Sequence, residues 1–528
     1  MTDRVLAGRG TRFAIATPHV AATASGRAAF EAGGNAVDAA LAAATTLAVV
    51  YPHMCGVGGD LFALVQEPEG RTLALNATGA SPRGMDVEVV RRAHPRMPER
   101  GIETVTVPGA VSGWVTLAED WSRLGFARAF DAAVGYARDG VPVARSLAGS
   151  LAWEPELLGA DPGLAEVFFR DGRPLEQGDL LVQPALARTL ETLAAEGPGA
   201  LYGGEVGRAY ATGLGRRGSA MTLDDLQLQR AEVLSPFAGK YRDLDVHVTP
   251  PTSQGFVLLE ILAGIERLGI DPDPLGPDAG VLALLFRAAS VDRDRHLADP
   301  AHMRMHPHSL LDDGHIAALC DQVRTGRPVP VDAGPGPQGG TVGLVTIDAE
   351  GWAVCLIQSL GPGFGSGILE PETGIVGQGR GGGFTLEPDH PNALQPGKLP
   401  AHTLMPVMAH RGGRVVAVSG TMGGSAHPQI NMMSLARAFD LRRSPAQAVA
   451  EPRWLAGGMD PVGPDAFVVA EPEAIARAGD ALERAGFRLD PLEELDESAG
   501  HAHLITVAPD GTFEVGTDPR ADGGVAVG

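Results

Sequence analysis

Cysteine is scarce in this chain: Cys55, Cys320 and Cys355 are spread over 528 residues. Three thiols at such wide spacing build neither a disulfide framework nor a zinc pattern, so buried free thiols are expected. Positive charge is in deficit. Lys and Arg number 42 against 64 Asp and Glu, a formal charge of −22, which disfavours nucleic acid or an anionic membrane as partner. Long apolar runs are missing too. The longest, Ala39 to Val50, is interrupted by two threonines and falls short of the ~20 residues of a membrane span. The segment Met1 to Gly10 holds no apolar core of signal-peptide length, so a cytoplasmic location is expected. With 44% apolar and 20% charged residues, a folded globular protein is expected.

The most informative stretch straddles residue 341. Asp332 to Gly340 is too rich in Gly and Pro for helix or strand. Thr341 to Ile347 then turns apolar and β-branched, which reads as a strand. After the turn Asp348-Ala349-Glu350-Gly351, Trp352 to Ser359 reads as its hairpin partner. A cut before Thr341 would give that residue a free α-amine beside its hydroxyl. An amine of reference pKa about 7.7–8.0 can take the hydroxyl proton, making one residue both base and nucleophile. The alternative on this stretch alone is a strand that follows a loop.

Along the chain, Thr23 to Ala32 and Ala36 to Val50 read as helices, the second apolar nearly all round and therefore buried. A glycine-rich loop at 51–60 precedes strands at Leu61 to Gln66 and Thr72 to Asn76. It lies between a helix and a hairpin, the wrong context for a dinucleotide-binding turn, and its Gly56, Gly58 and Gly59 are expected to let the backbone pass close to a site. From about 115 to 320 helical runs alternate with turns, with clear helices at Ala185 to Glu196 and Val257 to Leu268. Past 341 come strands, a turn at Gly412-Gly413, a helix at Pro428 to Phe439 and a last hairpin of His503 to Val507 with Thr512 to Val515. Strands at both ends around a helical middle predict one α/β (α+β) unit with sheets drawn from both termini.

Several stretches in this order resemble the γ-glutamyltransferase (glutathione hydrolase) family of N-terminal-nucleophile hydrolases. They include Gly33-Gly34-Asn35-Ala36-Val37-Asp38, Pro250-Pro251-Thr252-Ser253-Gln254-Gly255, Phe364-Gly365-Ser366-Gly367, Gly423-Gly424-Ser425 and Asp518-Pro519-Arg520. The resemblance implies a four-layer αββα sandwich and a precursor that cleaves itself between Gly340 and Thr341. Residues 1–340 would form a large subunit and 341–528 a small one, associated as one structural unit. It further implies Thr341 as nucleophile, Ser359 as the hydroxyl that positions it, and the backbone N–H groups of Gly423 and Gly424 as oxyanion hole.

The residues that read a glutamyl group in such enzymes are replaced. Thr78 stands where the α-carboxylate arginine is expected, Gly361 where an asparagine is expected, and Arg380-Gly381-Gly382-Gly383 where a Gln-x-x-Asp grips the α-amine. His402-Thr403 replaces a Ser-Ser pair. Arg380 repels an ammonium and attracts a carboxylate, so the expected substrate is a small amide that carries a carboxylate and lacks the free α-amine, as in acylases or an oxamate amidohydrolase. Thr78, Arg380, His402, Thr403 and Ser425 are the expected substrate-binding residues. No cofactor is required, and no metal is expected: His501-Ala502-His503 lacks a third ligand nearby. Arg293 and Asp299 read as structural ion-pair partners. Standard γ-glutamyl transfer or hydrolysis, and an unprocessed non-catalytic binding protein, are the alternative functions. Homo-oligomerisation stays open.

Overall fold

The hairpin expected around Thr341 forms. In the computed structural model, which describes residues 4–329, 339–457 and 466–528, Gly339–Asp348 pairs antiparallel with Ala353–Pro362, and Thr341 lies opposite Ser359. The Gly/Pro-rich reading of 332–338 falls outside the described residues. Each strand finds a second neighbour, Phe13–Thr17 on one side and Asp60–Gln66 on the other. The hairpin is therefore central in an antiparallel seven-stranded sheet. Its order is Gly524–Val527, Phe13–Thr17, Gly339–Asp348, Ala353–Pro362, Asp60–Gln66, Thr72–Ala77 and Glu232–Leu234.

Both hairpin strands are buried along nearly their whole length, as expected of a sheet covered on both faces. Alternation along the strands then sorts side chains into two cores. Leu61, Ala63 and Leu356 pack with Leu41, Leu47 and Trp114 from the helices Ala36–Val50 and Ala110–Trp121. Phe62, Leu64 and Ile357 point the other way, into a core shared with Met408, Val418 and Ile505 of a second sheet. That sheet runs Ala7–Gly10, Phe513–Thr517, His501–Val507, Arg414–Met422, Val407–Arg411, Leu244–Val248 and Phe237–Tyr241. Its outer face, with Val246, Ala417 and Leu504, packs on the helices Gly255–Leu268, Ala279–His296 and His427–Phe439. Three cores between helix, sheet, sheet and helix make four layers, αββα.

The helical reading of the middle needs one correction. Residues 232–248 supply an edge strand to the first sheet and a hairpin to the second. In Leu244–Val248 burial alternates strictly, with Asp245 and His247 facing away from the core, the pattern of a strand covered on one face.

Of the glycines expected to pass close to a site, Gly59 does so, Gly58 packs on Val376 instead, and a Cβ on Gly56 would come no nearer than 3.8 Å to a neighbouring side chain. A Cβ on Gly59 would stand 2.4 Å from the Ser359 carbonyl, and one on Gly58 2.1 Å from the Val376 carbonyl. Where the sheets meet behind Thr341, a Cβ on Gly343 would lie 2.7 Å from the Thr421 amide nitrogen and one on Gly420 3.3 Å from that of Leu344. Backbone touches backbone there, which brings the end of Arg414–Met422, and the Gly423-Gly424 turn after it, over Thr341.

Candidate active site

Thr341 and Ser359 fall on the same strand face as Ile347 and Ile357, the face between the sheets. A register shift separates Gly340 from Thr341, and the Thr341 hydroxyl donates to Ser359 Oγ at 2.9 Å. Ser359 Oγ donates to the Gly340 carbonyl oxygen at 2.6 Å and accepts from the Gly361 amide at 2.9 Å. One serine hydroxyl thus links the threonine hydroxyl to the carbonyl oxygen of the peptide bond that precedes it. Gly424 approaches from the second sheet: its amide nitrogen lies 3.2 Å from where a Cβ on Gly339 would be, and its φ of +53° is in the left-handed region that favours glycine.

Arg380, from the short turn Arg380–Gly383, brings a cation to the hydroxyl pair. Its Nη2 donates to Ser359 Oγ at 3.3 Å and its Nη1 to Thr403 Oγ1 at 3.4 Å, both long for such bonds. Gly361 makes room for it, since a Cβ there would stand 3.3 Å from the Arg380 amide nitrogen, and its φ of +92° suits glycine. Thr341, Gly361, Arg380, His402, Thr403, Gly424 and Ser425 line one cavity of about 810 Å³. Thr78 is not among them. It lines a neighbouring cavity of about 240 Å³ and donates to Asn76 Oδ1 at 2.6 Å. Gly423 precedes Gly424 in the turn, outside the residues that line the cavity.

Groups that the sequence reading did not single out hold this arrangement. Gln254 donates its side-chain amide to the carbonyls of Thr403 and Gly424 at 2.7 and 3.1 Å, which gives the Pro-Pro-Thr-Ser-Gln-Gly stretch its physical role. Asp60 Oδ1 accepts from the Gly79 amide and from Gln378 Nε2, both at 2.9 Å, and Oδ2 faces His402 Nε2 at 3.2 Å. The Leu404 amide donates to His402 Nδ1, so the imidazole carries its proton on Nε2 and gives it to Asp60. Burial, followed by the Arg380 charge and His427, holds His402 well below its ordinary pKa. His427 is pushed down to about 3 by burial and then by Arg380, and bonds Thr421 Oγ1 at 2.9 Å. Both imidazoles are neutral, so among these described residues Arg380 carries the positive charge beside the hydroxyl pair.

Burial raises Asp60 from 3.8 to about 7, against the opposing pull of Gln378, Gly79, Arg380 and Gly109. A carboxyl whose folded pKa exceeds its unfolded value stabilises the fold fully below the unfolded value, and that contribution is lost as pH rises through the folded one. The wild type is therefore expected to lose stability relative to Asp60→Asn as pH climbs from 3.8 to about 7, read from denaturation midpoints of both proteins across that window. A constant difference between the two would contradict it.

The remaining candidates are structural in their contacts. Arg293 pairs with Asp294 at 2.6 Å and donates to the Ser425 carbonyl at 3.3 Å. Asp299 accepts from the Ala301 and Leu399 amides rather than from an arginine. His501 and His503 are both buried in their strand, and His503 Nδ1 meets Thr517 Oγ1 at 2.8 Å.

Residues 22–528 match the family model described as gamma-glutamyltranspeptidase. The oxamate amidohydrolase proenzyme of Klebsiella pneumoniae is 37% identical over 520 residues, 96% of this chain and 97% of that protein. The glutathione hydrolase-like YwrD proenzyme of Bacillus subtilis is 34% identical, covering 98% of this chain and 99% of its own. Among solved structures, cephalosporin acylase from Bacillus halodurans superposes with a TM-score of 0.91 at 30% identity, over 100% of this chain and 98% of the acylase.

Proposed function

Because this chain belongs to the gamma-glutamyltranspeptidase family, we propose that it cuts itself between Gly340 and Thr341 and then hydrolyses a small amide whose acyl part carries a carboxylate. In the first step Thr341 Oγ adds to the Gly340 carbonyl carbon, whose oxygen accepts a hydrogen bond from the Ser359 hydroxyl. The C–N bond breaks, the hydroxyl proton passes to the Thr341 nitrogen, and water cleaves the resulting ester. The freed α-amine then serves as base: it takes the Thr341 hydroxyl proton as Oγ attacks the substrate carbonyl and delivers it to the departing nitrogen. Water resolves the acyl-enzyme to the free acid. The Gly423-Gly424 turn supplies N–H donors to the oxyanion.

The observation that carries the substrate class is the chain of contacts from Arg380 through Ser359 to Thr341, 3.3 and 2.9 Å long. A carboxylate paired with Arg380 sits one hydroxyl away from the nucleophile. That favours a short acyl group such as the oxalyl group of oxamate, the substrate in the name of one relative. Thr403, His402 and Ser425 line the same cavity, and Thr403 Oγ1 meets Arg380 Nη1 at 3.4 Å.

The test is to measure kcat/KM for oxamate and for a γ-glutamyl anilide on fully processed protein, with Arg380→Gln beside it. A charge-assisted hydrogen bond contributes about 1.5–3 kcal/mol, so Arg380→Gln should lower oxamate turnover by roughly 10- to 100-fold. Efficient turnover of the γ-glutamyl anilide, with none of oxamate, would replace this reading by standard γ-glutamyl hydrolysis.

A further inference from the structure

A second constellation lies in the outer helical layer. Glu260 comes from Gly255–Leu268, Asp292 from Ala279–His296 and His315 from Asp313–Arg324. Their donor atoms all lie within 4.8 Å of one another. His315 Nε2 stands 2.8 Å from Asp292 Oδ2 and 3.4 Å from Glu260 Oε1. Glu260 is 0% exposed, and among the described residues neither of its carboxylate oxygens has a hydrogen-bond partner beyond the 3.4 Å ion-pair contact with His315. A buried carboxylate left without donors is costly. The single proton that Nε2 can carry serves one acceptor, and the shorter contact gives it to Asp292. Glu260 is therefore aimed into the cluster with its bonding capacity unmet.

We propose that these three side chains form a site for a divalent metal of the borderline class, with zinc as its representative. One imidazole nitrogen and two carboxylates suit zinc or its transition-metal neighbours better than calcium or magnesium, which take all-oxygen shells. The ion takes the place of the Nε2 proton and meets both carboxylates at once. The His315 side chain is 21% exposed while Glu260 is sealed, so solvent reaches the cluster from one side, where water completes the coordination.

The site has a consequence for the active cavity. Asp292 lies between Val291 and Arg293, which both line that cavity, and Arg293 holds the Ser425 carbonyl beside Gly424. A metal on Asp292 fastens this wall helix to two others. The expectation of no metal rested on ligands close together in sequence, and these lie on three separate helices.

The test uses the full chain, loaded with zinc, dialysed at neutral pH and analysed for metal per chain and for Tm. About one zinc per chain is expected, with a Tm that rises with free zinc by mass action. His315→Ala and Glu260→Gln should each cut the bound zinc about tenfold or more. Thr341→Ala should bind as much as the wild type, which separates this proposal from the reading of the cavity. Wild-type protein that retains no stoichiometric zinc and shows no Tm shift would overturn it, as would undiminished zinc in His315→Ala. Since His315 is partly exposed, that variant decides the matter even where Glu260→Gln does not fold.

Discussion

A Thr341→Ala protein is expected to run as one 528-residue chain under denaturing conditions, whereas the wild type separates into pieces of 340 and 528 − 340 = 188 residues. The reasoning is chemical. The residue after the Gly340–Thr341 bond carries a hydroxyl, which donates to Ser359 Oγ, and the Ser359 hydroxyl in turn donates to the carbonyl oxygen that would take up charge. Alanine keeps the strand and its pairing but leaves no nucleophile. Without cleavage there is no free α-amine, so amide turnover should vanish with processing, a loss larger than any other substitution here should produce. Intact mass and turnover on the same sample make the check. Fragments meeting at Gly340 and Thr341 in the variant, or a wild type that stays whole and active, would remove the proposed mechanism.

Much of this architecture was legible in the residues. The hairpin around Thr341 announces itself by a switch from Gly/Pro to β-branched residues, and Ala36–Val50 by being apolar nearly all round. Both signals are local. The edge hairpin at 237–248 was missed because its polar positions dilute the apolar signal, although Leu244, Val246 and Val248 do alternate. Long-range pairing was beyond reach of pattern: that Phe13–Thr17 lies beside Gly339–Asp348, and Gly524–Val527 beside Phe13–Thr17 in turn, depends on contacts hundreds of residues apart.

The site divides in the same way. Thr341, Ser359, Arg380, His402, Thr403 and Ser425 could be named because they stand in recognisable motifs, and the fold brings them together. Thr78 could be named too, yet it turns to Asn76 and the smaller cavity, because the place of an arginine head group is not the reach of a threonine. Asp60 and His427 gave no signal of their own. Their importance is burial beside Arg380, a property of packing. Glu260, Asp292 and His315 each look like an ordinary helix-surface residue until three helices converge.

Ser359 offers the sharpest separation of chemistry from scaffold. Ser359→Ala removes the acceptor of the Thr341 hydroxyl and the donor to the Gly340 carbonyl together. Loss of one oxyanion-type donor costs about 10²–10³ in rate, so cleavage should still occur but slow by that order, followed by mass against time after translation or refolding. Ser359→Thr keeps the hydroxyl and should process within a few-fold of the wild type, provided its methyl group is accommodated between the sheets. Measuring the stability of both variants guards against a trivial cause, because alanine there also frees the Gly361 amide and Arg380 Nη2 from a partner. A folded Ser359→Ala protein that cleaves at the wild-type rate would show that the carbonyl is polarised from elsewhere. The Gly424 amide, 3.2 Å from the place of a Gly339 Cβ, would then be the donor to examine. Slow cleavage in alanine with restoration in threonine would tie the self-processing step to one hydroxyl, the same one that Arg380 Nη2 touches.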